Sequence, residues 1–225
     1  MLLFSYFAIQ STFQMKNKEQ YLDEIKEIRQ MMEQSSRFLS LSGLSGILIG
    51  IYSLVGAYLA YRLLYLPPPS GFWQANANNL LIPLAEIALV VLALSLVTIV
   101  VLTFRKTKHA GNKFWGKGTR LMLINLAVPL VSGGILIVIL VSRGVYEIAS
   151  PAFLIFYGLA LVNAAKFTRK EIFYMGLCQI SLGIIAAWLP GYSLLLWALG
   201  FGIIHILYGT VMHFRYDHKS KTQVL

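Results

Sequence analysis

Five polar side chains interrupt long apolar stretches of the sequence and are the first candidates for chemistry. Glu86 and His205 can exchange a proton or hold a charged solute, and three amides could hydrogen-bond beside them: Asn125, Asn163 and Gln179. Ionisable groups are costly inside a bilayer, so they mark functional sites there. If these five side chains face one another, they line a polar path for a substrate or a proton.

Each of these residues also has a structural interpretation. Glu86 lies six residues past Leu80, about 9 Å along a helix, where it could form an ion pair with Arg62 or Arg143. His205 could be a packed, hydrogen-bonded histidine, and amides commonly join membrane helices by side-chain hydrogen bonds. The functional and the structural interpretations both remain open at this point.

Patterns typical of catalysis and metal binding are missing from the sequence. The four histidines form neither an HxxxH nor an HExxH pattern, and Cys178 is the single cysteine, so we expect no metal centre and no intrachain disulfide. There is no phosphate-binding loop, no Ser-His-Asp set and no pair of catalytic carboxylates. The sequence therefore predicts a protein that is not an enzyme and carries no cofactor.

The elements that would position these residues are six long apolar runs. Of the 225 residues, 57% are hydrophobic and 12% are charged, a balance that a soluble fold of this length cannot bury. About 20 mostly apolar residues cross a bilayer as a helix. The sequence predicts an all-α, polytopic membrane helix bundle over residues 41–212, with spans at 41–64, 80–104, 121–141, 148–165, 172–189 and 192–212.

The placement of basic residues predicts the orientation. Four segments hold 17 of the 19 basic residues: those before span 1, between spans 2 and 3, between spans 4 and 5, and after span 6. Segments rich in Lys and Arg stay cytoplasmic. We therefore expect both termini in the cytoplasm, residues 213–225 as a cytoplasmic tail, and basic loops that bind anionic lipid headgroups. The net charge of +10 does not indicate nucleic-acid binding, because the basic segments are not part of a nucleic-acid-binding module.

The segment before the first span divides into two parts. Residues 1–14 carry no charge, and Met15 begins a segment typical of a natural start, so residues 1–14 are interpreted as an upstream start artefact. Residues 15–40 contain an amphipathic helix from Lys18 to Leu39, with its core positions alternately four and three apart. This cytoplasmic helix either lies along the membrane surface or pairs with a protein partner or a second copy.

Small residues in the first span predict a helix-packing face. Ser42, Gly46 and Gly50 recur at a spacing of four residues, which lets another helix approach closely. The approaching helix could belong to the same chain or to a second chain at a dimer seam.

The third span contains a predicted kink. Pro129 removes a backbone hydrogen bond, and Gly133 and Gly134 follow it. Broken helices of this kind form the binding sites of some transporters, although a plain kink is the simpler interpretation.

A weak internal similarity links three parts of the chain. Residues 132–135 resemble 181–184, and residues 156–158 resemble 207–209. Residues 45–47 are a fainter third copy. The similarity predicts three parallel hairpins.

One stretch at the entrance to the first span carries a family resemblance. Residues 31–46, MMEQSSRFLSLSGLSG, follow the charged helix and lead into the apolar run. They resemble a family of uncharacterised bacterial membrane proteins that share a six-span layout. The resemblance implies a multi-pass protein of the bacterial cytoplasmic (inner) membrane, but it brings no activity, substrate or catalytic residue.

Two functions are compatible with these features. The leading hypothesis is a non-enzymatic membrane component that acts through partners or self-association, motivated by the amphipathic helix and the small-residue face. The alternative is a small-solute or ion transporter, motivated by Glu86, His205, the amides and the Pro129 kink.

Overall fold

The computed structural model describes residue 25 and residues 42–66, 80–109 and 115–217. The regular secondary structure in these ranges is helical, and no strand occurs in them. Three interpretations concern residues outside these ranges: the start artefact at residues 1–14, all but one residue of the amphipathic helix, and the tail after residue 217.

Among the described residues, five continuous helices precede the last span. They are α1 (Gly43–Tyr65), α2 (Leu81–His109), α3 (Lys117–Ser142), α4 (Ala149–Ala164) and α5 (Lys170–Trp188). A 3-10 turn, Ala165–Phe167, follows α4, and another, Pro190–Tyr192, precedes the sixth span. The sixth span consists of α6 (Ser193–Trp197), a π-helical segment (Ala198–Ile204), α7 (His205–Met212) and a second π-helical segment (His213–Asp217).

In the part of the chain that the structure describes, six helical units are long and apolar enough to cross a membrane, which confirms the predicted multi-pass helix bundle. The sixth unit is Pro190–Tyr216. Most ends agree with the predicted spans, but α2 continues to His109 and the sixth span continues past Met212 to Asp217. Lys and Arg are good helix formers with apolar stems, so these helices extend beyond the apolar run. We call the end of the bundle where α2 finishes and α3 begins the basic end.

The spans pack in an open series. α2 packs against α1, α1 against the sixth span, the sixth span against α4 and α5, and α4 against α3. Within the described chain, α2 and α3 each have one substantial packing neighbour, and they form the two edges of the series. The core lies between α4, α5 and the sixth span, where Leu154, Leu161, Ile172, Met175 and Leu196 are buried.

Glycines let α1 approach the sixth span closely. A Cβ on Gly46 would lie 2.9 Å from the Gly209 Cα, and one on Gly50 would lie 2.6 Å from the Gly202 carbonyl oxygen. Lipid tails are as apolar as side chains, so close van der Waals contact of this kind holds membrane helices together. Gly46 and Gly50 of the predicted face are therefore in contact with a span of the same chain.

A second close contact joins α4 to α5. A Cβ on Gly158 would lie 2.6 Å from the Gly176 carbonyl oxygen, and a Cβ on Gly176 would lie 2.8 Å from the Gly158 carbonyl oxygen. The two glycines thus face each other across the interface. They bring the backbones of these two spans into direct contact, although their sequence spacing did not single them out.

The third span is continuous through its proline. Pro129 lies inside α3, and the Ser132 hydroxyl donates to the Pro129 carbonyl oxygen at 3.2 Å. Gly133 admits the ring of Phe156 from α4, whereas a Cβ on Gly134 would meet no atom within 4 Å. The helix is therefore not broken at the predicted kink, and Gly133 serves helix packing.

The three predicted hairpins do not share one set of glycine contacts. Gly133 contacts the other helix of its own hairpin, whereas Gly46 and Gly183 contact helices of other hairpins. The threefold repeat therefore remains a prediction.

Candidate functional site

A buried polar cluster joins α4, α5 and the sixth span. The Tyr157 hydroxyl oxygen lies 2.8 Å from His205 Nε2, and His205 Nδ1 lies 3.0 Å from the Gly200 carbonyl oxygen. The same carbonyl accepts a hydrogen bond from Gln179 Nε2 at 2.7 Å. Gln179 is fully buried and His205 is buried. Side chains from three spans therefore form one continuous network.

The partners of His205 determine its neutral tautomer. The Gly200 carbonyl can only accept a hydrogen bond, so Nδ1 carries the proton. In the neutral imidazole Nε2 is then an acceptor, and the Tyr157 hydroxyl donates to it. Because both ring nitrogens are engaged, neither of them is available to a metal ion or a solute while the network is intact.

The π-helical segment Ala198–Ile204 places Gly200 in this network. The wide π-helical turn brings a carbonyl close to the residue five positions later, and His205 is five positions after Gly200. Glycine also leaves room for the Gln179 side chain, because a Cβ on Gly200 would lie 2.5 Å from Gln179 Oε1 and would make it shift. The open turn and the missing side chain together let two donors reach one carbonyl.

Aromatic rings enclose the histidine. The rings of Phe201 and Tyr157 stack on the His205 ring, with centroid distances of 5.8 and 5.5 Å and interplanar angles of 18° and 21°. Trp197 extends the stack, 5.0 Å from Phe201. Such an enclosure strengthens the hydrogen bonds that are made and raises the cost of any that are lost. The cluster is therefore a joint that holds three spans in one arrangement.

Two buried oxygen atoms in this region lack a hydrogen-bond partner among the residues that the structure describes. They are Gln179 Oε1 and the hydroxyl of Tyr208, three residues after His205. A buried polar atom without a partner costs about 1–3 kcal/mol. A polar solute could form hydrogen bonds with these two atoms.

The structure brings together two of the five predicted polar residues. Gln179 and His205 share one backbone carbonyl, so Gln179 joins α5 to the sixth span. Asn125 instead donates to a carbonyl of its own helix at 2.9 Å. Asn163 is half-buried on α4, and Glu86 is exposed on α2. As far as the structure describes the chain, the five side chains do not line one path.

Glu86 lies near the end of α2 that is opposite the basic end. If Arg105 marks one boundary of the hydrocarbon layer, a layer about 30 Å thick extends over about 20 helical residues. Its other boundary then lies next to Glu86. Arg62 donates to a tyrosine hydroxyl at 3.3 Å, and Arg143 is exposed just beyond α3. In the described ranges, no ion pair joins Glu86 to either arginine.

A second polar cluster lies at the basic end. Glu171 Oε1 accepts hydrogen bonds from Arg215 Nη1 at 3.0 Å and from the Tyr216 hydroxyl at 2.7 Å. The guanidinium carbon of Arg169 lies 3.5 Å from the centroid of the Tyr216 ring, a cation–π contact. These contacts attach the start of α5 to the end of the sixth span. The ion pair is largely solvent-exposed on the Arg215 side, so it adds little stability.

Neither cluster has the arrangement of a metal centre. The residues that the structure describes contain no group of three His, Cys, Asp or Glu side chains able to hold a metal ion. Within the buried cluster, the hydrogen bonds end on a backbone carbonyl, which neither attacks a substrate nor removes a proton. The geometry therefore indicates a structural joint that positions spans.

The partners of His205 were not predicted from the sequence. Tyr157 comes from α4 and Gly200 from the π-helical segment. Neither residue lies three or four positions from His205, so helical spacing does not identify it as a partner. The available signal was the pair Gly200 and Gly202 inside an apolar span, shortly before a histidine. Glycine inside a membrane helix indicates a close approach, but it does not say which side chain approaches.

Comparisons with known proteins do not extend this description. No protein-family model, curated protein or solved structure matches the chain. Any inference about its function therefore depends on its own residues and their geometry.

Proposed function

We propose that this chain is a non-enzymatic, multi-pass membrane component that acts by associating with other membrane helices through α2 and α3. The observation that carries the proposal is how little these spans are covered. In the apolar stretch of 18 residues taken from each span, only 11% of α2 and 17% of α3 is buried. The corresponding share is 28% to 39% in the other four spans. These two helices are also long, with 29 and 26 residues, and offer extended surfaces to a partner.

Charge supports a partner over lipid alone. Lipid covers apolar side chains as well as another helix does, so exposure by itself does not require a partner. Glu86, however, stands on the uncovered side of α2, and no ion pair is formed by it in the described ranges. Charged groups in membrane helices usually pair with one another. A partner with a cation at this depth would complete the pair.

The proposal includes a location and an orientation. It assigns the chain to the bacterial cytoplasmic membrane, with both termini and the basic end in the cytoplasm. The distribution of 17 of 19 basic residues supports the orientation, and the resemblance of residues 31–46 supports the bacterial membrane. The basic end would then meet anionic headgroups, and the amphipathic helix from Lys18 to Leu39 would offer a second contact to a protein partner.

A photo-crosslinking experiment tests the proposal in native membranes. A photoreactive amino acid is placed at Val97 of α2, Val131 of α3 or Ile184 of α5, which are 61%, 59% and 60% exposed. We expect protein adducts from Val97 and Val131 and lipid adducts alone from Ile184, because α5 is already packed within the bundle. Lipid adducts alone from all three positions would show that α2 and α3 have no partner.

A second candidate function, a small-solute or ion transporter, is favoured by one observation. Gln179 Oε1 and the Tyr208 hydroxyl are buried and unpaired among the described residues. For a transporter, reconstituted vesicles should show protein-dependent flux of protons or sodium that Tyr208→Phe lowers. Tyr174→Phe, which removes an exposed hydroxyl, should leave the flux unchanged. Flux equal to that of protein-free vesicles would reject transport of these two ions.

A further inference from the structure

We infer that the partner of α2 is α3 of a second copy of this chain, so that two copies close on each other as a symmetric dimer. The inference rests on the proposed function and names the partner for it. In the ranges that the structure describes, each copy is an open series of spans with α2 at one edge and α3 at the other. A two-fold axis along the membrane normal brings both edges of one copy against both edges of the other, which closes the assembly.

Both edges carry an outward stripe of branched side chains. The α2 stripe follows a spacing of four and three residues, and its large members are each more than half exposed: Val90, Val97 and Val100. The α3 stripe has the same spacing and the same exposure: Val128, Val131, Ile135 and Val138. This spacing keeps one face of a helix along a single partner. The two stripes can therefore pack along their whole length.

The stripes match in length and direction. A connection of seven residues, 110–116, joins the end of α2 to the start of α3, so these ends lie on the same side and the two helices run antiparallel. Glu86 is 14 residues from Val100 (100 − 86), and Ser142 is 14 residues from Val128 (142 − 128), about 21 Å in each case. When Val100 is level with Val128, Glu86 is level with Ser142 and next to Arg143.

The basic residues give an independent check of this alignment. Val100 lies five residues from Arg105 (105 − 100), and Val128 lies eight residues from Arg120 (128 − 120). If both arginines mark the same bilayer boundary, the two valines differ in depth by three residues, about 4.5 Å, which is less than one helical turn. The depths of the two helices therefore match the alignment to within one helical turn.

Opposite charges on α2 and α3 indicate that a second copy of the chain is the partner. Glu86 is exposed on α2 and Arg143 is exposed at the end of α3, at the bundle end opposite the basic end. Arginine binds a carboxylate through two parallel hydrogen bonds. In the symmetric dimer each Glu86 meets the Arg143 of the other copy, so both acids and both arginines are paired. An unrelated helix on α2 would leave α3 uncovered.

Disulfide crosslinking between differently tagged copies tests the interface. In a Cys178→Ser background, one copy carries Val97→Cys and the other Val131→Cys, which are level in the alignment. We expect a disulfide between the two tags. The control pairs Val97→Cys with Ile184→Cys, at an equally exposed site on α5, and should give none. A yield no higher than the control, or a disulfide that forms only when both cysteines are in one chain, would overturn the inference.

A charge exchange tests the ion pair in the same dimer. Glu86→Arg or Arg143→Glu alone should weaken dimerisation in nanodiscs by roughly tenfold or more, because each dimer contains two such pairs. The two changes together should restore it. Arg62→Glu changes an exposed arginine at the same end of α1 and should have no effect. Single variants that dimerise normally, or a double variant as weak as the single ones, would contradict the pairing.

The inference and the proposed function fail in different ways. Suppose that Val97 photo-crosslinks to another protein but no disulfide forms between Val97→Cys and Val131→Cys of two copies. This result would overturn the dimer but would still support association with other membrane helices. Lipid adducts alone from both Val97 and Val131 would overturn both.

Discussion

A single added methyl group tests the contact between α1 and the sixth span. Gly209→Ala adds a Cβ that would lie 2.5 Å from the Ile47 amide nitrogen and 2.7 Å from the Gly43 carbonyl oxygen. Ordinary van der Waals contact for such an atom begins at 3.4 Å. Both atoms belong to the backbone and cannot rotate away, so the two helices must separate by about 1 Å.

The size of the effect follows from this separation. A gap of about 0.5–1 Å loses a quarter to a half of the attraction between the atoms that face it, and overpacking costs about 1–3 kcal/mol. Alanine recovers about 0.5–1 kcal/mol because it is a better helix former than glycine. We therefore expect Gly209→Ala to lower the free energy of unfolding by about 0.5–2 kcal/mol.

Gly134→Ala is the matched control for this substitution. It makes the same chemical change inside α3, where the new Cβ would meet no atom within 4 Å. The helix-forming gain then stands alone, and the free energy of unfolding should stay the same or rise by up to about 1 kcal/mol. Unfolding is followed by circular dichroism as SDS replaces a mild detergent. A Gly209→Ala protein as stable as Gly134→Ala would refute the close contact.

Two further predictions concern the polar clusters, and both use the same unfolding measurement. Tyr157→Phe leaves His205 Nε2 without a donor and should cost about 1 kcal/mol, whereas Tyr174→Phe, at an exposed hydroxyl, should cost nothing measurable. An equal cost for both would contradict the Tyr157 hydrogen bond. Glu171→Gln weakens two hydrogen bonds to one oxygen, so it should destabilise more than Arg215→Gln, which removes the exposed ion pair and a long cation–π contact, 5.6 Å from the Tyr216 ring centroid. The reverse order would contradict the shared acceptor.

The spans and the uneven charge distribution could be predicted from the sequence. Apolar run length and the position of Lys and Arg are local properties, and a bilayer of fixed thickness turns them into helix number and approximate ends. The predicted spans differ from the helices mainly where basic residues continue a helix, as at His109. Local patterns also marked Gly46 and Gly50 as a close-packing face, without naming the helix that packs on it.

Only the tertiary structure decided which faces meet. It paired Gly46 with Gly209, gave His205 its partners Tyr157 and Gly200, and left Glu86 exposed on an edge helix. The physical reason is that lipid-facing and protein-facing side chains are equally apolar in a membrane helix, so hydrophobicity does not separate the two faces. Contacts between spans depend instead on steric fit and on single hydrogen bonds, and both are properties of two helices together.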